Sequence, residues 1–103
     1  MKEIRFHGRG GQGVAMAAEI LAAALVRAGG FAAAFPMFGF ERRGAPVAAF
    51  LRLDVAPIRE RTQVYAPDCL ILLDPGLGRT GVIFDGFKAG GALVVNGATL
   101  PPI

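Results

Sequence analysis

The chain has one cysteine, Cys69, among 103 residues. It can form no internal disulfide, and it cannot supply the roughly four thiolates that an iron–sulfur cluster needs. Long apolar runs are missing as well. The longest apolar helical stretch, Val14 to Val26, is Ala-rich, contains Glu19 and is too short to cross a bilayer. The opening residues MKEIRFHG lack the apolar core of a signal peptide. A reducing cytoplasm fits these features, and no membrane contact is expected. Charge is sparse, at 18%, with a net balance of +3. No basic face is interleaved with aromatic residues in the manner of single-strand binders, so nucleic acid is not expected as a partner. No repeat, low-complexity tract or linker divides the chain, which leaves a single domain over residues 1–103.

What is present is a hydrophobic fraction of 53%, far too apolar for a disordered chain. Alanine and glycine supply much of it. These residues let backbones approach closely but bury little area each, as in a core that a partner subunit completes. Nine of the eleven basic residues are Arg, the side chain suited to bidentate phosphate or carboxylate contacts.

Hydrophobic periodicity orders the chain. Lys2 to His7 reads as a strand with Ile4 and Phe6 on one face. A helix follows from Gly11 or Gln12 to Ala28, with a stripe of Val14, Ala17, Leu21, Ala24/Leu25 and Ala28 and a stop at Gly29-Gly30. Phe31 to Phe35 and Ala45 to Leu53 read as strands, the latter with Arg52 and Asp54 at its exposed end. Pro57 to Gln63 reads as a turn or short strand. Cys69 to Leu73 is a continuous apolar run, the pattern of a strand buried on both faces, stopped by Asp74-Pro75-Gly76. A weak helix over Arg79 to Lys88 would lead into a last strand, Ala92 to Asn96. Strands alternating with helical segments predict an α/β fold: a Rossmann-like, open, largely parallel sheet flanked by helices.

The stretch HGRGGQGV joins the first strand to the helix. A helix N-terminus favours an anion, and glycines permit close approach of a ligand to the backbone. Gly8, Gly10, Gly11 and Gly13 could therefore cradle a phosphate, with Arg9 and Gln12 adding a charge and a side-chain amide. The spacing Gly8-x-Gly10-x-x-Gly13 also fits the dinucleotide fingerprint. That fingerprint asks for an acid at the end of the second strand, where this chain has AAAFPMF. A tight turn that packs helix on sheet and binds nothing is the plain alternative. A second cluster, Glu41-Arg42-Arg43-Gly44, sets two guanidinium groups beside a carboxylate in a proline-bounded loop. It reads as an anion clamp, a docking surface or a solvated loop.

Three motifs lie in register: G-x-G-G-Q-G at 8–13, F-G-x-E-R-R-G-A-P at 38–46, and the strand Asp68-Cys69-Leu70-Ile71-Leu72-Leu73-Asp74-Pro75. Together they resemble the gamma subunit or domain of the pyruvate and 2-oxoacid:ferredoxin oxidoreductases, over roughly residues 3 to 97. The FERRGAP block looks closest to the pyruvate-type branch. The resemblance implies one part of a multi-subunit enzyme that converts a 2-oxoacid and coenzyme A to acyl-CoA and CO2, with electrons passing to ferredoxin or another acceptor. It implies alpha, beta and ferredoxin-like delta subunits as partners. Thiamine diphosphate, Mg2+ and iron–sulfur clusters would lie in those partners, so this chain would hold no cofactor and no catalytic residue of its own and would be inactive alone. It further associates the gamma part with the coenzyme A side of the reaction; Gly8, Arg9, Gly10, Gly11, Gln12 and Gly13, with Glu41, Arg42 and Arg43, are the residues expected to face that polyanion, or equally to hold the subunit interface together. The family's gamma domain continues past the position where this chain stops, so the sheet is expected to be incomplete at its C-terminal end.

Of the remaining residues, His7 reads as a structural hydrogen-bonding group, and Cys69 as a buried, inert thiol. Phe35 is assigned to the core, Phe38 and Phe40 to core or subunit contact, and Tyr65 to packing with a polar tip.

Overall fold

Five strands and one α-helix form the fold, taken from a computed structural model that describes residues 1–36, 46–60, 62–79 and 82–97. The strands are β1 (Lys2–Arg9), β2 (Phe31–Pro36), β3 (Pro46–Asp54), β4 (Cys69–Leu72) and β5 (Ala92–Val95), and the helix is α1 (Val14–Arg27). They form one sheet in the order β2-β3-β1-β4-β5. The α/β class and the open sheet agree with the sequence. The sheet, however, is mixed rather than largely parallel. β4 pairs parallel with both β1 and β5, while β3 runs antiparallel to both β1 and β2. The cause is length: only the nine residues 37–45 separate β2 from β3, too few for the crossover that parallel neighbours require. β3 is thereby inserted between β1 and β2, which α1 joins by a parallel crossover.

One face of the sheet packs on α1. Phe6, Ala49 and Leu51 are buried there against Val14 and Ala18, with Ile4, Leu21, Leu25 and Ile71 around them. The buried line of α1 runs through Val14, Ala17, Ala18, Leu21, Ala22 and Leu25, so the expected stripe is right at its start. Ala24 and Ala28 are exposed instead. The C-terminus of α1 closes as a Schellman motif: Gly30 N–H donates to Leu25 O (3.2 Å), and Gly29 N–H to Val26 O (3.0 Å).

No α-helix covers the other face among the described residues. The segment after β3 and two short 3-10 helices, Pro75–Arg79 and Val82–Phe84, lie there instead. The helix expected over Arg79 to Lys88 is replaced by these single turns. Asp74 starts the first by accepting from Gly76 N–H (2.9 Å), and left-handed Gly86 ends the segment (φ 78°). Arg52 was expected to be exposed at a strand end; it is 1% exposed and points into this face. It donates to Glu3 Oε2 (2.7 Å), Thr62 O (2.6 Å) and Gln63 O (3.1 Å). Arg5, also buried, donates to Val64 O, Ile83 O and Asp85 O at 3.1, 2.7 and 2.8 Å. Two guanidinium groups thus do for irregular backbone what a ladder does for a strand: they satisfy its carbonyls, two of them, Val64 O and Ile83 O, in buried bonds.

Phe35 packs on Phe50 (centroids 5.5 Å apart) and under the Arg52 guanidinium, as a core residue should. Tyr65, expected to pack, is 71% exposed. Phe38 and Phe40 lie outside the described residues. Cys69 is half-buried, and burial, then the neighbouring Asp68 charge, pushes its thiol up, which keeps it protonated and inert. Asp68 aligns β4 with β1 by accepting Glu3 N–H (2.8 Å) and also pairs with Lys88 (3.1 Å). The Glu3 bond, followed by Lys88, holds its carboxyl below the usual range.

Candidate functional site

β1 does not stop at His7. Gly8 and Arg9 continue it, paired with Val47 and Pro46 of β3, so the glycine turn proper is Gly10 to Gly13. Local bonds close the turn. Arg9 N–H donates to Gln12 Oε1 (2.7 Å), and Gln12 N–H donates to Arg9 O (3.0 Å). Gly11 and Gly13 take positive φ, 93° and 78°, a region that L side chains adopt only at a cost. Gly13 is the N-cap of α1 and no side chain caps it. The first amides of α1 therefore carry no side-chain cap beside the turn. Gly8 is required for a different reason: a Cβ there would fall 2.5 Å from Val14 Cγ2 and 3.2 Å from Leu73 Cβ. β1, α1 and β4 meet at this point.

Arg9 leaves the turn sideways. Its Nε donates to Asp74 Oδ2 at 2.7 Å, across the gap between the carboxyl ends of β1 and β4. The sequence placed Arg9 and Gln12 as ligand groups; the structure shows Gln12 closing the turn and Arg9 held by an acid just past β4. In the sequence Asp74 figures as a strand stop and near the end of the third motif, not as a site residue. A carboxylate after a strand parallel to β1 is the signal that could have marked it. A concavity of about 320 Å3 opens at the turn, lined by Arg9, Gly10, Gly11, Gly13, Val14 and Met16 among others. A larger one, about 450 Å3, lies at the opposite end of β1 among Met1, Leu25, Phe31, Leu53 and Val55. It is largely apolar, and its charged groups, Lys2, Asp54 and the N-terminal ammonium, include an ion pair between Met1 N and Asp54 (3.7 Å), so the smaller one, beside the start of α1, is the better candidate for an anion despite its size. Glu41, Arg42 and Arg43 lie outside the described residues.

His7 sits at the base of the turn, half-buried, and its Nε2 accepts from Arg5 Nε (2.9 Å). It is structural, as read from the sequence. Burial, then the Arg5 charge, lowers its pKa from 6.5 to about 4. An unfolded chain takes the His7 proton near the ordinary value; the folded chain takes it only near pH 4. The stability that neutral His7 contributes is therefore complete above pH 6.5 and is lost as pH falls from there through 4. The loss is expected to reach about 2–3 kcal/mol at the bottom of that window. Urea denaturation at pH 7.5 and 4.5 measures it, and His7→Gln, which retains an acceptor, should flatten the difference. The contribution of Asp68 is lost only below about pH 3.8, outside this window.

Residues 3–103 match the family model described as pyruvate ferredoxin/flavodoxin oxidoreductase. The chain belongs to this oxidoreductase family. Among its relatives, the gamma subunit of NADH-dependent phenylglyoxylate dehydrogenase from Aromatoleum evansii is 56% identical over 91% of this chain and 50% of its own length. The common gamma subunit of the pyruvate/ketoisovalerate oxidoreductases of Thermococcus kodakarensis is 56% identical over 93% of this chain and 52% of its own. Among solved members of the family, pyruvate oxidoreductase subunit PORC from Thermotoga maritima superposes with a TM-score of 0.78 at 38% identity, over 95% of this chain and 51% of that one. The chain thus spans about half the length of the relatives it matches. Those relatives are named as subunits of oxidoreductases of 2-oxoacids. Among the described residues no helix is long and apolar enough to cross a membrane, and no three His, Cys, Asp or Glu side chains gather as a metal site would require.

Proposed function

We propose that this chain is the gamma part of a thiamine-diphosphate-dependent 2-oxoacid:acceptor oxidoreductase, which turns a 2-oxoacid and coenzyme A into acyl-CoA and CO2 and passes two electrons to ferredoxin or another carrier. The observation that carries this reading is the family match over residues 3–103, shared with relatives named as gamma subunits. Alpha, beta and delta subunits would supply the thiamine diphosphate, Mg2+ and clusters. A single thiol does not supply the roughly four thiolates that an iron–sulfur cluster needs. The chain would be cytoplasmic and inactive alone.

Its own contribution would be the coenzyme A side of the site. Coenzyme A carries a pyrophosphate, and the turn offers the features that suit one: amides without a side-chain cap at the start of α1, glycines without Cβ atoms, and Arg9 beside them. Glu41, Arg42 and Arg43 belong to the same proposed surface. The strand that follows them begins at Pro46, the partner of Arg9 in the ladder. A purely structural turn is the rival reading, and the closed Gln12–Arg9 bonding favours it to that extent. The two are separated in the complex purified through a mild tag from its own host. A brown, multi-subunit assembly containing thiamine diphosphate is expected. Within it, Arg42→Ala and Arg43→Ala should each raise the KM for coenzyme A about five- to tenfold with kcat little changed, since each removes a charge-assisted contact worth about 1–1.5 kcal/mol. Unchanged KM with a loosened assembly would establish the structural reading instead.

A further inference from the structure

α1 is apolar on both sides. Of its 14 residues, VAMAAEILAAALVR, only Glu19 and Arg27 are charged. One side packs on the sheet through Val14, Ala18, Leu21 and Leu25. The other, in steps of three and four, carries Met16, Glu19, Ile20, Ala23, Val26 and Arg27, and all six are exposed. Met16, Ile20 and Val26 are 64%, 63% and 54% exposed. A helix lying on a single layer of sheet ordinarily turns polar residues to water, whereas one that is hydrophobic all round is a helix covered on both sides.

The two charges say what covers it. They have opposite sign and stand four residues to either side of Ala23. If a second copy of α1 lies antiparallel on the first, centred at Ala23, residues equally far from Ala23 come level. Glu19 then lies level with the second copy's Arg27, and Arg27 with the second copy's Glu19. Ile20 comes level with Val26, and Met16 with Gly30, which has no side chain to obstruct it. Ala23 meets Ala23, where a small side chain lets the helices approach closely. Like charges stay eight residues apart, about 12 Å along the axis. A parallel pair would instead set Glu19 beside Glu19 and Arg27 beside Arg27. The pattern is self-complementary in one direction only, as a two-fold interface requires.

We propose that the outer side of α1 is an interface between two copies of this chain, packed antiparallel about a two-fold axis at Ala23. Met16, Ile20 and Val26 supply the apolar area, and the Glu19–Arg27 pairs set direction and register. The inference does not depend on what the glycine turn binds. A helix of 14 residues gives a seam of about 21 Å, small for a dimer that stands on this contact alone, so the pair is best read by trapping it.

The test uses the full chain in the complex isolated from its own host. Ala23→Cys is placed in a Cys69→Ala background, which removes the chain's own thiol. A short bis-maleimide is expected to join position 23 of one copy to position 23 of the other, giving a band of twice the chain's mass on a denaturing gel. Peptide mass spectrometry identifies the joined positions. In that background Glu19→Arg and Arg27→Glu should each cut the trapped fraction about tenfold, because the two-fold axis makes every substitution act twice. Combining the two in one chain exchanges the charges and should restore trapping. Far-UV circular dichroism of each variant checks that α1 itself persists. A double variant that traps no better than either single one would overturn the proposal, since only a second copy changes along with the first. Joining of position 23 to a different subunit would overturn it too, by showing that another partner covers this side. So would the absence of any joined product.

Discussion

Arg52→Ala is expected to lower the unfolding free energy of the chain by about 3–5 kcal/mol, the range for breaking a buried ion pair from one side. Arg52 is 1% exposed, and its guanidinium serves Glu3, the Thr62 carbonyl and hydroxyl, and the Gln63 carbonyl, while lying 5.5 Å over the Phe35 ring. Removing it strands a carboxylate that is 21% exposed and leaves two backbone carbonyls without their guanidinium donor. It also empties the space above Phe35. A domain of this size has about 5–15 kcal/mol in all, so one truncation takes a large share. Urea denaturation followed by circular dichroism reads the loss. Glu3→Gln in the same background separates the two parts. With the charge gone, part of the penalty should return, because a neutral amide costs less to leave unpaired than a carboxylate. A loss below 1 kcal/mol for Arg52→Ala would show that Thr62 and Gln63 are held by something else.

Arg52 also shows where the sequence stops being informative. Along β3 the alternation Ala49, Leu51, Leu53 marks the α1 face and puts Phe50 and Arg52 opposite. Local pattern reads an Arg at a strand end as exposed, because the cost of burying a charge is high. What makes burial favourable is the return of residues 62–64 across the sheet, a contact ten residues away with no periodicity of its own. The glycine turn was legible for the opposite reason: strand, glycines and helix are contiguous, and each residue's demand is local. The turn's internal bonding was not, since spacing alone cannot say that the Gln12 side chain folds back on Arg9. The direction of β3 was within reach. Residues 37–45 are too few for a crossover, and that count alone predicts an antiparallel neighbour. The pairing of Arg9 with Asp74 required knowing that β1 and β4 are adjacent, which no local pattern states.

The other large effect is expected at Gly86→Ala, and here a control isolates the cause. Gly86 and Gly90 both take positive φ, 78° and 80°. At Gly90 an added Cβ meets nothing within 4 Å, so Gly90→Ala should cost only the left-handed penalty, about 1 kcal/mol. At Gly86 the added Cβ would overlap the Tyr65 carbonyl oxygen and stand 3.0 Å from its carbon. Both partners are backbone, so neither can swing aside as a side chain does. The turn must lift away from residues 65–67, and that movement reaches the bonds made on either side of it. Lys88 N–H donates to Pro67 O (3.3 Å), and Arg5 donates to Asp85 O (2.8 Å). Gly86→Ala should therefore cost about 4 kcal/mol or more, a size that point substitutions reach only through a mechanism of this kind. Amide hydrogen exchange should show protection falling at 65–68 and 84–88 together. Equal costs at Gly86 and Gly90 would mean that the two backbones do not touch. A larger cost at Gly86 that spares Arg5 would mean that the turn moves without opening the face beneath it. Loss at both places is the outcome that ties the turn, through Arg5, to His7 at the base of the glycine turn.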